Sequence, residues 1–194
     1  DAGRPRAEKV RASMTVLVQD SLRLLAGRGV LWITDTPGAY SGLPSPDELR
    51  NDARFRRMNV HLLAVLRPEA AQHDSAWRGV NGAVIDLNDG GFAARSSIVA
   101  LHRLVALAAS HKARVVILDH PPALGGNQHD GPMWRPIASS DITLPLRYGL
   151  SVGEAIKLFA STLPADADLH VVPARGVRRS QFWGRESKLP WSSP

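Results

Sequence analysis

The sequence predicts an α/β domain of the Rossmann-like, three-layer kind with a mostly parallel central sheet. Apolar runs of strand length alternate with segments of helical length, and helix followed by strand, repeated, implies crossover connections in a parallel sheet. Two capping boxes, Ser45-Pro46-Asp47-Glu48 and Ser151-Val152-Gly153-Glu154, mark helix starts at matching points of that alternation. The run Arg114–Asp119, fed by the alanine- and leucine-rich segment Ile98–Ala109, is its clearest helix-to-strand step.

Residues Asp1–Ser13 are polar and aperiodic and are expected to form a flexible leader. A short helix follows over Val16–Leu25, with Gly27 and Gly29 as its stop, and then the strand Val30–Thr34. The first capping box should open a helix to about Arg57, proline being tolerated in its first turn. The apolar run His61–Leu66 ends before Pro68, and Ala83–Leu87 stops in the turn-forming Asn88-Asp89-Gly90-Gly91. Between Pro121 and Pro145, glycine, proline, asparagine and aspartate are too frequent for a regular element, so a long structured loop is expected. The second capping box opens a helix through Phe159 and Ala160, and Leu169–Val172 is the last strand. The α/β domain therefore spans 14–175, and 176–194, with Trp183 and Trp191, is expected to pack as an extended arm.

A chain of 194 residues suits one domain, long enough to fold without staples. It has no cysteine, which removes thiolate catalysis, zinc-thiolate sites and disulfides together. The net charge of +6 is spread thinly and is not interleaved with aromatics, so it reads as solvated surface and a nucleic-acid partner is not expected. No stretch approaches the roughly 20 apolar residues of a membrane span. Because the chain opens at Asp1, an upstream segment is compatible with it, and export is favoured over a cytoplasmic address. Nothing in the sequence sets an oligomeric state.

Ligands of open parallel sheets bind beyond the carboxyl ends of the strands, where helix N-termini present free N–H groups. Thr34 and Asp35 follow the first run, Glu69 the second, Asp86 and Asp89 close the third, and Asp119 and His120 the fourth. Five carboxylates thus share one rim. A proton donor and an anion are the usual equipment for cleaving a glycosidic bond. Taken singly, Asp35, Asp86 and Asp119 are better explained as turn or helix caps, whereas Glu69 gains little as a turn former after Arg67-Pro68. There is no P-loop, no G-x-G-x-x-G after a strand and no G-x-S-x-G elbow. His73, His111, His120 and His129 lack the spacing of a shared metal site; His111 is expected at a helix end, and neither metal nor organic cofactor is expected.

Several short motifs fall in a specific order: Ile117-Leu118-Asp119-His120-Pro121, Leu124-Gly125-Gly126, Asp130-Gly131-Pro132, Pro145-Leu146-Arg147-Tyr148-Gly149, Val152-Gly153-Glu154, Val171-Val172-Pro173 and Leu189-Pro190-Trp191. Together with Pro68-Glu69 and Asp86-Leu87-Asn88-Asp89-Gly90-Gly91 they resemble the peptidoglycan exo-β-N-acetylmuramidase family, once known only as a domain of unknown function. The resemblance implies a Rossmann-like domain that removes terminal N-acetylmuramic acid from peptidoglycan fragments, with relatives continuing into a second domain after the Leu-Pro-Trp segment. On that mapping Glu69 is the general acid/base and Asp86 or Asp89 stabilises the cation. Thr34, Asp35, Asp119, His120, Arg147 and Tyr148 are then the sugar-binding candidates.

The chain departs from the family where Ala70-Ala71 replace His-Gly after the Pro-Glu pair and Ala93-Ala94-Arg95-Ser96-Ser97 replace an arginine and aromatic cluster. Pro122 replaces an asparagine, Tyr148 a histidine, and the Glu69–Asp86 interval is shorter. Two expectations follow. One is a hydrolase acting on muramic-acid glycosides; the alternative is a catalytically impaired relative that binds wall fragments or a protein partner through the same rim.

Overall fold

The computed structural model describes residues 18–35, 51, 53–120, 122–136, 142–173 and 178–180. The expected leader, the capping box at Ser45–Glu48 and the tryptophans of the terminal arm lie outside the described residues. In chain order the elements are α1 (residues 18–23), β1 (Gly29–Thr34), α2 (Ala53–Arg57), β2 (His61–Leu66), α3 (Pro68–Ala71), β3 (Gly82–Asp86), α4 (Ile98–Ser110), β4 (Arg114–Asp119), β5 (Asp130–Trp134), β6 (Leu144–Arg147), α5 (Val152–Leu158) and β7 (Leu169–Pro173).

Five strands form one sheet in the order β2-β1-β3-β4-β7, every pair parallel. Side chains alternate between its two faces, and both faces are covered. On one, Leu31, Ile33, Ala83, Ile85, Val115 and Ile117 pack with Leu101, Leu104 and Val105 of α4 and Val152 and Ile156 of α5. On the other, Val30, Trp32, Val84, Val116 and Leu118 meet Val18, Leu22 and Leu25. The sheet is the middle layer of three, as the unbroken apolar runs require. Trp77 is 1% exposed beneath the first face; its indole N–H donates to the Ala71 carbonyl at 2.8 Å and its ring stacks on His111. His111 stands at the C-cap of α4 and pairs with Asp74 at 2.8 Å, where a cation is favourable against the helix dipole.

The segment Pro121–Pro145 corrects the sequence reading. It contains β5 and the first half of β6, which form an antiparallel pair with Trp134 opposite Leu144. Its glycines and prolines hid the strands, and a bulge between Asp130 and Met133 breaks the alternation that would have betrayed them. Leu144 and Tyr148 join Ile98, Ala155 and Phe159 in a third apolar cluster, which fastens the hairpin to the beginning of α4 and to the middle and C-cap of α5. Phe92 bridges to Arg147 and ties the loop after β3 to the same hairpin.

Candidate functional site

The adjacent strands β1 and β3 connect onward in opposite directions, one to β2 and the other, across the sheet, to β4. Their loops part at the carboxyl edge, and such a parting is where doubly wound sheets hold ligands. Thr34 and Asp86 lie level across this pair, and Asp119 ends β4 beside it. Asp86 and Asp119 thus end neighbouring strands at the carboxyl edge.

Within the edge, the groups separate into distinct clusters. Asp86 and His120 form a buried pair: His120 Nε2 stands 2.6 Å from Asp86 Oδ1, and both residues are 3% exposed. Burial by itself lowers the basicity of His120, but the hydrogen bond and charge of Asp86, followed by the charges of Asp119 and Asp35, outweigh it and hold the imidazole above its ordinary value. Asp35 holds the neighbouring turn, its Oδ2 accepting the Asn88 N–H at 2.9 Å while its carbonyl accepts from Arg67. Thr34 is 3% exposed at the end of β1.

Asp119 is clamped by the start of α5. Its two oxygens accept the Gly153 N–H at 2.7 Å and the Ser151 hydroxyl at 2.9 Å, yet burial raises its carboxyl above the usual range. The same Ser151 hydroxyl accepts from the Glu154 N–H, and Glu154 Oε2 accepts the Ser151 N–H, so the predicted capping box is complete. Glu154 also receives the Arg179 guanidinium, which reaches the Gly126 carbonyl at 2.7 Å and the Gly149 carbonyl at 2.9 Å. Ser151 and Arg179 were not among the expected site residues. The capping box flagged Ser151, but its second bond follows only once β4 and α5 are known to be neighbours.

Asp89 is placed differently from the expectation that it faces a cation. Its carboxylate, 5% exposed, accepts the Gly91 N–H, the Ser97 N–H and the Ser96 hydroxyl, each at 2.8 Å, and also the Tyr148 hydroxyl. Four donors occupy its lone pairs, and it holds the backbone at the start of α4 in place of a cap from Ser97 itself. Tyr148, expected as a sugar contact, is 4% exposed and turned onto Asp89; burial and that charge push its hydroxyl far above the usual phenol range. Ser96, unforeseen from sequence, completes this knot. Arg147 donates to the Leu124 carbonyl and so pins the loop after β4 to β6.

Glu69 stands apart. It lies in the first turn of α3, directly beyond the end of β2, and is exposed, with no side-chain hydrogen bond or ion pair among the described residues. No group of three or more His, Asp or Glu among the described residues could hold a metal ion, and none of their helices is long and apolar enough to cross a membrane.

The ionisable groups predict a stability maximum on the acid side of neutrality. Burial would raise the Asp168 carboxyl, but bonds from Arg114 at 2.7 Å and His170 at 2.9 Å outweigh it and hold it below 3.8. Its stabilisation is complete above 3.8 and lost as pH falls through the depressed folded value. His120 works from the other side: its contribution is complete below 6.5 and lost as pH rises through its higher folded value. Asp119, also raised, has the same sign and is already costly at neutral pH. Urea midpoints measured from pH 3 to 9 should peak between these limits. A curve still rising beyond pH 8 contradicts this assignment of charges.

Fold and edge together define a doubly wound α/β domain with acidic groups at the carboxyl edge of its sheet. The chain belongs to the family described as exo-beta-N-acetylmuramidase NamZ, N-terminal, whose model matches residues 44–194. It is 24% identical over 221 aligned positions to the peptidoglycan beta-N-acetylmuramidase NamZ of Bacillus subtilis strain 168, covering 96% of this chain and 52% of that protein. Two solved DUF1343 family proteins of Bacteroides fragilis NCTC 9343 share its fold. One aligns at a TM-score of 0.74 with 20% identity, over 91% of this chain and 52% of that one. The other aligns at 0.67 with 17% identity, over 82% and 50%. The chain thus spans about half the length of the relatives it matches. Nothing in these likenesses supports the alternative of a catalytically impaired binder.

Proposed function

We propose that this domain carries acid/base and anionic groups of an exo-acting glycosidase that removes terminal N-acetylmuramic acid from peptidoglycan fragments. One observation carries the reading: in a chain of this family, the same sheet edge presents an exposed glutamate, Glu69, and a buried aspartate, Asp86. The two requirements of glycosidic cleavage differ in just this way. A proton donor must reach the leaving oxygen, and an anion must face the oxocarbenium-like centre. Glu69 meets the first and Asp86 the second. Glu69 opens the helix that follows β2 and Asp86 ends β3, with β1 lying between those two strands in the sheet.

Asp119, held by Ser151 and Gly153, and Asp89, held by its four donors, are positioning residues in this scheme. Thr34, Asp35 and Arg147 shape the walls. The test is release of a chromogenic aglycone from its muramic-acid glycoside. Glu69→Gln should lower kcat by about 10²- to 10⁴-fold, the usual contribution of a positioned general acid, and leave the fold intact because the side chain is exposed. Equal rates for wild type and Glu69→Gln sink the assignment.

A further inference from the structure

The buried Asp86–His120 pair has a chemistry that the carboxylates alone do not. Two charged partners in a site this dry are strongly coupled, and removing one leaves the other uncompensated. The contact uses only one oxygen of Asp86: Oδ1 meets the imidazole at 2.6 Å, whereas Oδ2 accepts no hydrogen bond among the described residues. That oxygen sits on β3 beside the parting of the loops after β1 and β3. The charges of three carboxylates act on His120: Asp86 at the end of β3, in direct contact, Asp119 at the end of β4, and Asp35 just beyond β1. The other two are engaged elsewhere, Asp35 by the Asn88 N–H and Asp119 by Ser151 and Gly153.

We propose that His120 is the positioning residue of this site, an imidazolium that neutralises Asp86 on one oxygen and so presents the other as a fixed anion to the ligand. This rests on the glycosidase reading and deepens it: the group facing the positive centre is an aspartate–imidazolium pair. Fixing Asp86 through Oδ1 sets the direction of Oδ2, and the cation makes burial of the carboxylate tolerable. Loss of the imidazolium proton leaves a buried anion next to two more, and the site responds by taking up a proton on a carboxylate or by loosening. Loss of the His120 proton is therefore one cause of activity loss on the alkaline side, beside deprotonation of the general acid.

The decisive measurement is direct. In the full chain, the ring nitrogen resonances of His120 followed by NMR against pH should show the imidazolium persisting above 6.5. Asp86→Asn should move that titration down by about one pH unit or more. A ring that titrates at or below 6.5, or one indifferent to Asp86→Asn, overturns the proposal. Kinetics supply the second arm. His120→Gln keeps a donor but no charge; it should lose roughly tenfold or more in kcat with little change in KM. An unchanged kcat, or a loss that falls on KM alone, contradicts the positioning role. If wild type releases no aglycone at all, the glycosidase reading fails, while the NMR titration still decides whether the pair is charged.

Discussion

Asp89→Ala is expected to cost the fold about 4 kcal/mol, although Asp89 touches no reacting atom in the proposed chemistry. The figure comes from its donors. Ser96 and Tyr148 hydroxyls lie 3.2 Å apart and can rotate to bond each other when the carboxylate is removed, so they lose little. The N–H groups of Gly91 and Ser97 cannot turn away, and a buried donor left without an acceptor costs about 1–3 kcal/mol each. Asp89→Asn keeps one oxygen but turns an amide NH2 toward a donor, so roughly half the loss should remain. Urea unfolding of the three proteins measures these differences. A loss below about 1 kcal/mol for Asp89→Ala shows that water or backbone movement satisfies those donors and that the carboxylate is not a structural knot.

How this knot escapes a reading of the sequence explains what was legible and what was not. β1, β3 and β4 are central strands covered on both faces, so Val30–Ile33, Ala83–Ile85 and Val115–Leu118 are apolar without interruption and their limits are readable to within a residue or so. The carboxyl-edge position of Glu69, Asp86 and Asp119 follows once the strands are parallel. The direction in which each side chain spends its lone pairs does not. Asp86 and Asp89 look equivalent in the turn Asp86-Leu-Asn-Asp89-Gly-Gly, yet one meets an imidazole from β4 and the other meets a serine seven residues on and a tyrosine fifty-nine residues on. Those partners are set by the docking of β6 and α4, which local pattern does not encode. The hairpin β5–β6 itself was hidden for the same reason: it is short, rich in glycine and proline, and fastened by tertiary contacts with Ile98, Ala155 and Phe159.

Gly149, immediately after Tyr148, gives the second large effect, and a companion glycine makes it decisive. Both Gly149 and Gly79 have left-handed backbones, with φ of +58° and +72°. A side chain at either position meets the same conformational penalty of about 1–2 kcal/mol. Around Gly79 an added Cβ finds nothing within 4 Å, so Gly79→Ala should lose about 1 kcal/mol. At Gly149 the added Cβ would fall 2.3 Å from the Gln128 carbonyl oxygen, a backbone atom with no rotamer to escape through. Either the strand-to-helix turn or the loop before β5 must move. That turn carries the Arg179 contact at the Gly149 carbonyl on one side and leads to the Ser151 hydroxyl that clamps Asp119 on the other. Adding a clash of this kind to the conformational term, Gly149→Ala should lose about 3–5 kcal/mol, and the survivors should show a weakened hold on Asp119. Equal losses for the two alanine variants would mean that the close approach of Gln128 contributes nothing, leaving only the left-handed backbone as the reason for glycine here.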